Sequence, residues 1–227
     1  MNKYSIIIPV YNEINSINAL LKSLKCYFKK GHEIILIDDG STDGSKNILT
    51  KNKIIKLISI KNNKGKGYAI KEGLKIARNN KIIIFDGDME LDPAEISKLM
   101  ILNKKDKIFC TMGYRFESLN PFKSSFDWGN FIFTTFFNII FSATHKDILC
   151  CAKSFYLDQI KIDSLKSIRF AIDLELSSLL TFSTRRYKIP QVLLHYKRRS
   201  SKDGKKLEIS DGWKILKRIL IIRKNIN

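Results

Sequence analysis

The first hundred residues alternate between two kinds of apolar pattern. "YSIIIPV" (4–10), "EIILIDD" (33–39), "IIKLISI" (54–60) and "KIIIFD" (81–86) are short, nearly continuous apolar runs, the form expected of strands buried on both faces. Between them the spacing becomes helical. Ile17, Leu20, Leu21, Leu24 and Phe28 recur along one side of 15–28, and Ala69, Ile70, Leu74 and Ala77 along one side of 65–80, which predicts two helices with inward apolar stripes. A shorter helix is predicted over 42–52, with Thr42 or Asp43 placed to cap it. Pro93 opens a further predicted helix over 93–103, at a position where its missing N–H costs nothing.

This βαβαβαβ order predicts an α/β fold with a mostly parallel central sheet and helices on both faces. Beyond residue 105 the pattern loosens. The chain reads as a strand and loop over 107–116, an apolar and aromatic segment over 124–141, a helix over 171–183, a strand over 188–197 and a helix over 210–224. Residues 197–206 form a polar, basic connection between the last two. With no internal repeat and no separating linker, the 227 residues are expected to form one domain.

The most apolar segment, 131–141, is far shorter than the ~20 residues a membrane span needs. The aromatic segment 126–141 reads either as core or as a helix facing an acceptor lipid or a membrane. The N-terminus runs directly into the first strand, so no secretory signal is expected. In the tail, Ile215, Ile219 and Ile222 share one helical face with lysines and arginines elsewhere. That face suits either docking on the domain or lying on an anionic membrane surface.

Charge sharpens the picture. Lys and Arg number 41 against 22 Asp and Glu, a formal net charge of +19, which draws polyanions, although part of the lysine content reads as compositional bias. Against that background Asp86, Asp88, Glu90 and Asp92 crowd into the seven residues that follow the fourth strand, and Asp38-Asp39 end the second. Ligands of open α/β sheets bind beyond the carboxyl ends of the strands, so both acidic groups are expected to face one crevice. Asp86, Asp88 and Glu90 alternate at period two, which can turn them to one side. Such a cluster can hold a divalent cation, act as acid or base, or form a solvated turn. Hard oxygen ligands suit Mg²⁺ or Mn²⁺, with phosphate oxygens and water completing the shell.

The first βα turn reads "PVYNE" rather than G-x-G-x-x-G, and no G-x-x-x-x-G-K-[ST] occurs, which argues against Rossmann dinucleotide and P-loop sites. "KNNKGKG" (61–67) instead offers Gly65 and Gly67 for close backbone approach and Lys64 and Lys66 as counter-charges for phosphate, or is an ordinary loop before a helix. His32, His145 and His195 are isolated and lack zinc-ligand spacing. Cys26, Cys110, Cys150 and Cys151 form no C-x-x-C pair and are read as buried free thiols in a reducing compartment. A nucleic-acid-binding protein would account for the charge but not for the acidic cluster, and no helix-turn-helix, zinc-finger or RNP signature appears. No nucleic-acid partner is expected.

"SIIIPVYNE", "EIILIDDGSTDGS", "NNKGKGYAIKEGLKIA" and "DGDMELDP" resemble, in order and spacing, the successive motifs of family-2 glycosyltransferases with the GT-A fold. The resemblance is to the dolichyl-phosphate mannose synthase type, which moves a sugar from a nucleotide sugar to a polyprenyl phosphate. It runs over about 4–115 and continues more weakly through "GYRF" (113–116), "HKDILCCAKSF" (145–155), "RFAIDLEL" (169–176), "IPQVLLHY" (189–196) and "GKKLEISDG" (204–212). Departures fall on the acceptor side. Tyr114 stands where that type has Ser, Gln191 and Leu193 where it has Glu and Pro, and Arg169 where Gly is common.

The resemblance implies a nucleotide-sugar half over 1–115 and an acceptor half over 116–227 that includes the amphipathic tail. It implies Asp86, Asp88 and Glu90 at a metal (Mg²⁺ or Mn²⁺) and the donor diphosphate, with Asp88 in the catalytic group. Pro9, Tyr11 and Glu13 are expected at the base and ribose, Asp38 and Asp39 as nucleotide acceptors, and Lys66 near the donor. Arg115 is expected to grip an acceptor phosphate, with Arg198, Arg199, Lys205 and Lys206 as a second basic group. Asp147 would orient the acceptor, or serve as base if the acceptor is a hydroxyl. The expected reaction is inverting, at the cytoplasmic face of a membrane, on a polyprenyl phosphate or alternatively a saccharide hydroxyl. Peripheral membrane contact and an integral-membrane partner protein fit the same picture.

Overall fold

A computed structural model describes residues 2–116, 125–169, 171–199 and 219–224. The apolar runs form β1 (Ser5–Val10), β2 (Glu33–Asp38), β3 (Lys56–Ser59) and β4 (Lys81–Ile84), joined by α1 (Ile17–Lys29), α2 (Ser45–Thr50) and α3 (Lys66–Ile76). The second half adds β5 (Cys110–Tyr114), α4 (Ser125–Phe141), β6 (Lys153–Tyr156), α5 (Ala171–Ser183) and β7 (Gln191–Leu193). All seven strands lie in one sheet, in the order β3-β2-β1-β4-β6-β5-β7. Pairing is parallel throughout β1 to β4, and β5 is parallel to β7. Only β6 is antiparallel to its neighbours β4 and β5. The mostly parallel α/β architecture is the one expected.

The period-two alternation of a strand divides the runs between two cores. Ile6, Ile8, Ile34, Leu36, Ile83 and Phe85 pack with Leu20, Leu24 and Tyr27 of α1. Ile7, Ile35, Ile37, Ile82 and Ile84 pack on the other face with Ile70 and Leu74 of α3 and Ile172 and Leu176 of α5. At about 2 kcal/mol for each fully buried aliphatic side chain, burial rather than propensity holds these strands. A third cluster joins Phe137 of α4 to Ile148, Leu174 and Ile219. Ile219 and Ile222 of the helical 219–224 segment are both buried, so this part of the tail docks on the fold. Ile215 lies outside the described residues.

Three local expectations change. Tyr27 takes the inward place expected of Phe28, which is exposed, because 17, 20, 24 and 27 follow the helical repeat more closely. Residues 93–99 form a 3₁₀ rather than an α-helix, begun by Asp92 accepting from Ala94 N at 2.9 Å. Strand β6 has no counterpart in the sequence reading. Its Lys153 and Ser154 interrupt the apolar signal, yet both are buried: Lys153 Nζ donates to the Cys150 carbonyl and Ser154 Oγ to that of Leu99. All four thiols are free, with Cys26 exposed rather than buried.

Candidate active site

Val10 pairs with Asp38 and Asp38 with Ser59, so β1, β2 and β3 end level and their following turns open on the same edge. A cavity of about 380 Å³ lies there, within the range of small-molecule sites. Pro9, Tyr11 and Glu13 line it from the end of β1, Asp86, Asp88 and Glu90 from beyond β4, and Arg115 from beyond β5. Asp39 and Lys66 also line it, as do Arg198 and Arg199 after β7. Asp38 does not. It lies wholly buried beneath the edge, accepting from Ser41 N at 3.1 Å. Lys205 and Lys206 lie outside the described residues.

Asp39 builds one wall of the cavity through the backbone, its carboxylate accepting from Lys64 N at 2.9 Å and Gly65 N at 2.7 Å. The K-G-K-G run is tight for steric reasons. Gly65 has φ +96°, and a Cβ there would stand 2.3 Å from the Ile168 carbonyl oxygen. A Cβ on Gly67 would meet the Ser167 carbonyl oxygen at the same 2.3 Å. Glycine lets the loop before α5 lie against the start of α3, and Gly67 N donates to Ile168 O at 2.9 Å.

That approach sets Lys66 between two carboxylates, its ammonium 2.8 Å from both Asp86 and Asp173. Burial alone would lower the Lys66 pKa, but Asp173 and Asp86 hold it well above the usual value. Burial likewise works against ionised Asp86, yet Lys66 keeps its pKa below the usual carboxylate value. Asp88 differs. Burial, and then the charge of Asp86, push its pKa up to about 6. Met89 adopts φ +62°, uncommon for a side chain of its size, and this turn lets Asp88 accept from Glu90 N at 3.0 Å.

The segment after β7 closes the acidic side. Arg199 reaches Glu13 at 2.9 Å and Asp88 at 3.4 Å, and its N–H donates to Glu90 Oε1 at 3.0 Å. Arg198 pairs with Asp127 of α4. Both arginines expected at an acceptor phosphate are thus held by carboxylates, and Arg199 is turned toward Glu13 and Asp88.

Arg115 is built differently. Asp147 accepts from its Nε at 2.7 Å and from its Nη2 at 3.0 Å, while Asn130 of α4 donates to the same carboxylate at 3.0 Å. The rings of Tyr196 and Phe116 stand 5.4 and 5.5 Å from the guanidinium. Burial would raise the Asp147 pKa, but Arg115 and Asn130 hold it below its usual value. A carboxylate so committed is a poor base, and it does not line the cavity. Asp147 positions Arg115.

Among the described residues, no three of His, Cys, Asp or Glu converge as a ready-made metal cage. Asp86, Asp88 and Glu90 all line the cavity, but Asp86 pairs with Lys66 while Arg199 engages Asp88 and Glu90. The donor set still fits a hard cation held through one or two carboxylates, with diphosphate and water completing its shell. Asp88, a partly buried carboxylate whose ionisation is disfavoured by desolvation and then by Asp86, is the group such a cation would relieve.

Asp173 and Asn130 escaped the sequence reading. The available signal was that Asp173 and Glu175 are the only charges on α5 and both are buried, where a charge needs a partner. Glu175 accepts from Lys166 N and Ser167 N at 3.0 and 2.7 Å, and Asp173 holds Lys66.

A profile described as Glycosyl transferase family 2 matches residues 5–160. The chain belongs to this family. Among curated family-2 relatives, it is 37% identical over 110 residues to the undecaprenyl-phosphate 4-deoxy-4-formamido-L-arabinose transferase of Proteus mirabilis, covering 44% of this chain and 33% of that protein. It is 35% identical over 111 residues to an uncharacterized glycosyltransferase of Bacillus subtilis, covering 46% and 34%. The chain therefore spans about a third of the length of the curated relatives it matches.

Two solved structures share its fold. Mannosyl-3-phosphoglycerate synthase from Rubrobacter xylanophilus superposes with a TM-score of 0.73 at 12% identity, over 98% of this chain and 74% of that one. Glucosyl-3-phosphoglycerate synthase from Mycobacterium tuberculosis, in complex with Mn²⁺, UDP and glucosyl-3-phosphoglycerate, gives 0.69 at 14% identity, over 99% and 81%. The GT-A fold expected of a family-2 glycosyltransferase is the fold observed. No helix among the described residues is long and apolar enough to cross a membrane.

Proposed function

We propose that this chain transfers a sugar from a nucleoside-diphosphate sugar to a polyprenyl phosphate at a membrane surface, as a Mg²⁺- or Mn²⁺-dependent, inverting enzyme. The observation that carries the reading is Arg115. It opens into the same cavity as Asp86 and Asp88, is fixed by Asp147 and is framed by two aromatic rings. A fixed guanidinium presents paired donors that match phosphate oxygens. The relatives named as undecaprenyl-phosphate transferases support the same acceptor class.

In this reading Tyr11, Glu13 and Asp39 hold the nucleoside, and Lys66 stands by the donor. Asp88 and Glu90, with Asp86, would hold the cation, which supplies Lewis-acid neutralisation of the diphosphate leaving group. Arg115 aligns the acceptor phosphate behind the anomeric carbon. That oxygen is already anionic, so no strong base is needed, and one displacement inverts the centre. Arg199 exchanges its carboxylate partners for the donor's charge. The assignment 1–115 for the donor and 116–227 for the acceptor belongs to the same proposal, as do the cytoplasmic face and an integral-membrane partner.

A saccharide hydroxyl acceptor is the second reading. It is favoured by Asp173, whose buried Oδ1 has no hydrogen-bond partner among the described residues and which lines the cavity, where a hydroxyl would require a base.

A panel of nucleotide sugars incubated with a short polyprenyl phosphate and Mg²⁺ or Mn²⁺ tests the proposal. The expected outcome is a lipid-linked sugar of inverted configuration, suppressed at least about a hundredfold in Asp88→Asn. A product of retained configuration, or undiminished transfer by that variant, contradicts it.

A further inference from the structure

One face of α4 is turned the wrong way for a helix that packs on a protein. Trp128, Phe131, Ile132 and Ile139 are 46%, 39%, 37% and 72% exposed, while Asn130, Thr134 and Phe137 are buried. Positions 128, 131, 132, 135 and 139 form one stripe at helical spacing, and of these only Thr135 is polar. The Trp128 and Phe131 rings stack at 6.1 Å with an interplanar angle of 24°, forming a single exposed aromatic plate. Beside α4 in the third core cluster lies the 219–224 helix. It buries Ile219 and Ile222 but exposes Leu220 and Ile221 and carries Arg223 and Lys224. An exposed apolar stripe of this extent marks an interaction site rather than ordinary solvent-facing surface.

We propose that this face docks on an anionic lipid bilayer, with α4 lying in the headgroup plane and the Trp128–Phe131 plate, Ile132 and Ile139 inserted. Two observations select a lipid surface over a protein one. The chain carries a formal net charge of +19, complementary to anionic headgroups. The stripe also begins where the acceptor would enter. Asn130 lines the cavity and bonds the carboxylate that fixes Arg115, and Phe131 is the next residue. This placement rests on the polyprenyl-phosphate reading. A phosphate held by Arg115 then trails its hydrocarbon chain past the first turns of α4, so the helix that positions the headgroup also meets the membrane. The sequence left both the tail and the aromatic segment 126–141 open to membrane contact. In the described part of that tail Ile219 and Ile222 are buried, while α4 presents an exposed apolar stripe.

The test uses the full chain with two vesicle compositions, phosphatidylcholine alone and phosphatidylcholine mixed with phosphatidylglycerol. Wild type should sediment with the anionic vesicles, bind the zwitterionic ones at least about tenfold more weakly, and be released as salt rises. Phe131→Asp/Ile139→Asp should lose at least about tenfold in anionic-vesicle binding, with an unchanged circular-dichroism melting midpoint because both positions are exposed. Vesicle binding equal to wild type in that variant overturns the proposal, as does failure of wild type to bind. A wild-type dimer that the variant splits without lipid would also overturn it, by making the face a contact between copies. Transfer to polyprenyl phosphate in detergent micelles needs no bilayer, so its loss or survival reports on the acceptor reading separately from docking.

Discussion

Asp147 shows how one side chain can matter to a site it does not enter. Its carboxylate is spent on Arg115 and Asn130, so removing its charge leaves a guanidinium without its counter-ion. Asp147→Asn should lower stability by about 3 kcal/mol, measured by urea denaturation, and raise the KM for polyprenyl phosphate more than it lowers kcat. A fall in kcat with the KM unchanged would contradict a positioning role for Asp147. His145 carries a second residue-scale prediction. Thr181 Oγ1 donates to Ser177 O at 2.6 Å and lies 2.8 Å from His145 Nε2, so Nε2 carries the proton. Nδ1 is buried without a hydrogen-bond partner. Burial, and then Lys153, push the His145 pKa down to about 4. As pH falls below about 6.5 the unfolded chain takes up this proton first. Stability is therefore lost from there down to about 4, amounting to about 2 kcal/mol by pH 5. The difference in urea midpoint between wild type and His145→Gln should shrink from pH 7 to pH 5, and a constant difference would contradict it. Asp86 and Asp88 were legible because carboxylates directly after a buried strand are a local signal, whereas Arg115 was legible only through the resemblance of residues 113–116 to the family. Asp173 was not, since its meaning depends on Lys66, 107 residues away in sequence.

Among the elements, β1 to β4 and α1 to α3 were readable because burial on both sheet faces leaves continuous apolar runs and helices leave stripes. Strand β6 was hidden by Lys153 and Ser154, whose polar groups find carbonyls inside the fold. The 3₁₀ turn at Pro93–Leu99 was hidden because its apolar spacing also suits an α-helix. The junction of α3 with the loop before α5 carries its own test. Gly65→Ala should destabilise by more than about 1 kcal/mol, since the backbone is left-handed and the added methyl meets a carbonyl oxygen. It should also weaken nucleotide binding through Lys66. A thermal midpoint equal to wild type would show that the loop relaxes freely.

At the scale of the molecule, the parallel strands β1 to β4 and the mixed set β5 to β7 share one sheet, and the cavity opens where the turns after β1, β4 and β5 meet. The strand order β4-β6-β5-β7 was beyond reach of the sequence, because nothing local specifies which edge a late strand joins. Nor did the sequence show that the basic segment after β7 folds back onto Glu13 and Asp88. That contact ties the two halves across the cavity and makes the acidic cluster a place where cations compete. In the proposed reaction the acceptor nucleophile is a lipid phosphate gripped by Arg115. The direct measurement is sugar transfer to a short polyprenyl phosphate beside the matching polyprenol, with wild type and Arg115→Ala. Transfer to the phosphate alone, lost in the variant, is the predicted result. Transfer to the polyprenol, or an Arg115→Ala enzyme that still glycosylates the phosphate at the wild-type rate, would contradict it.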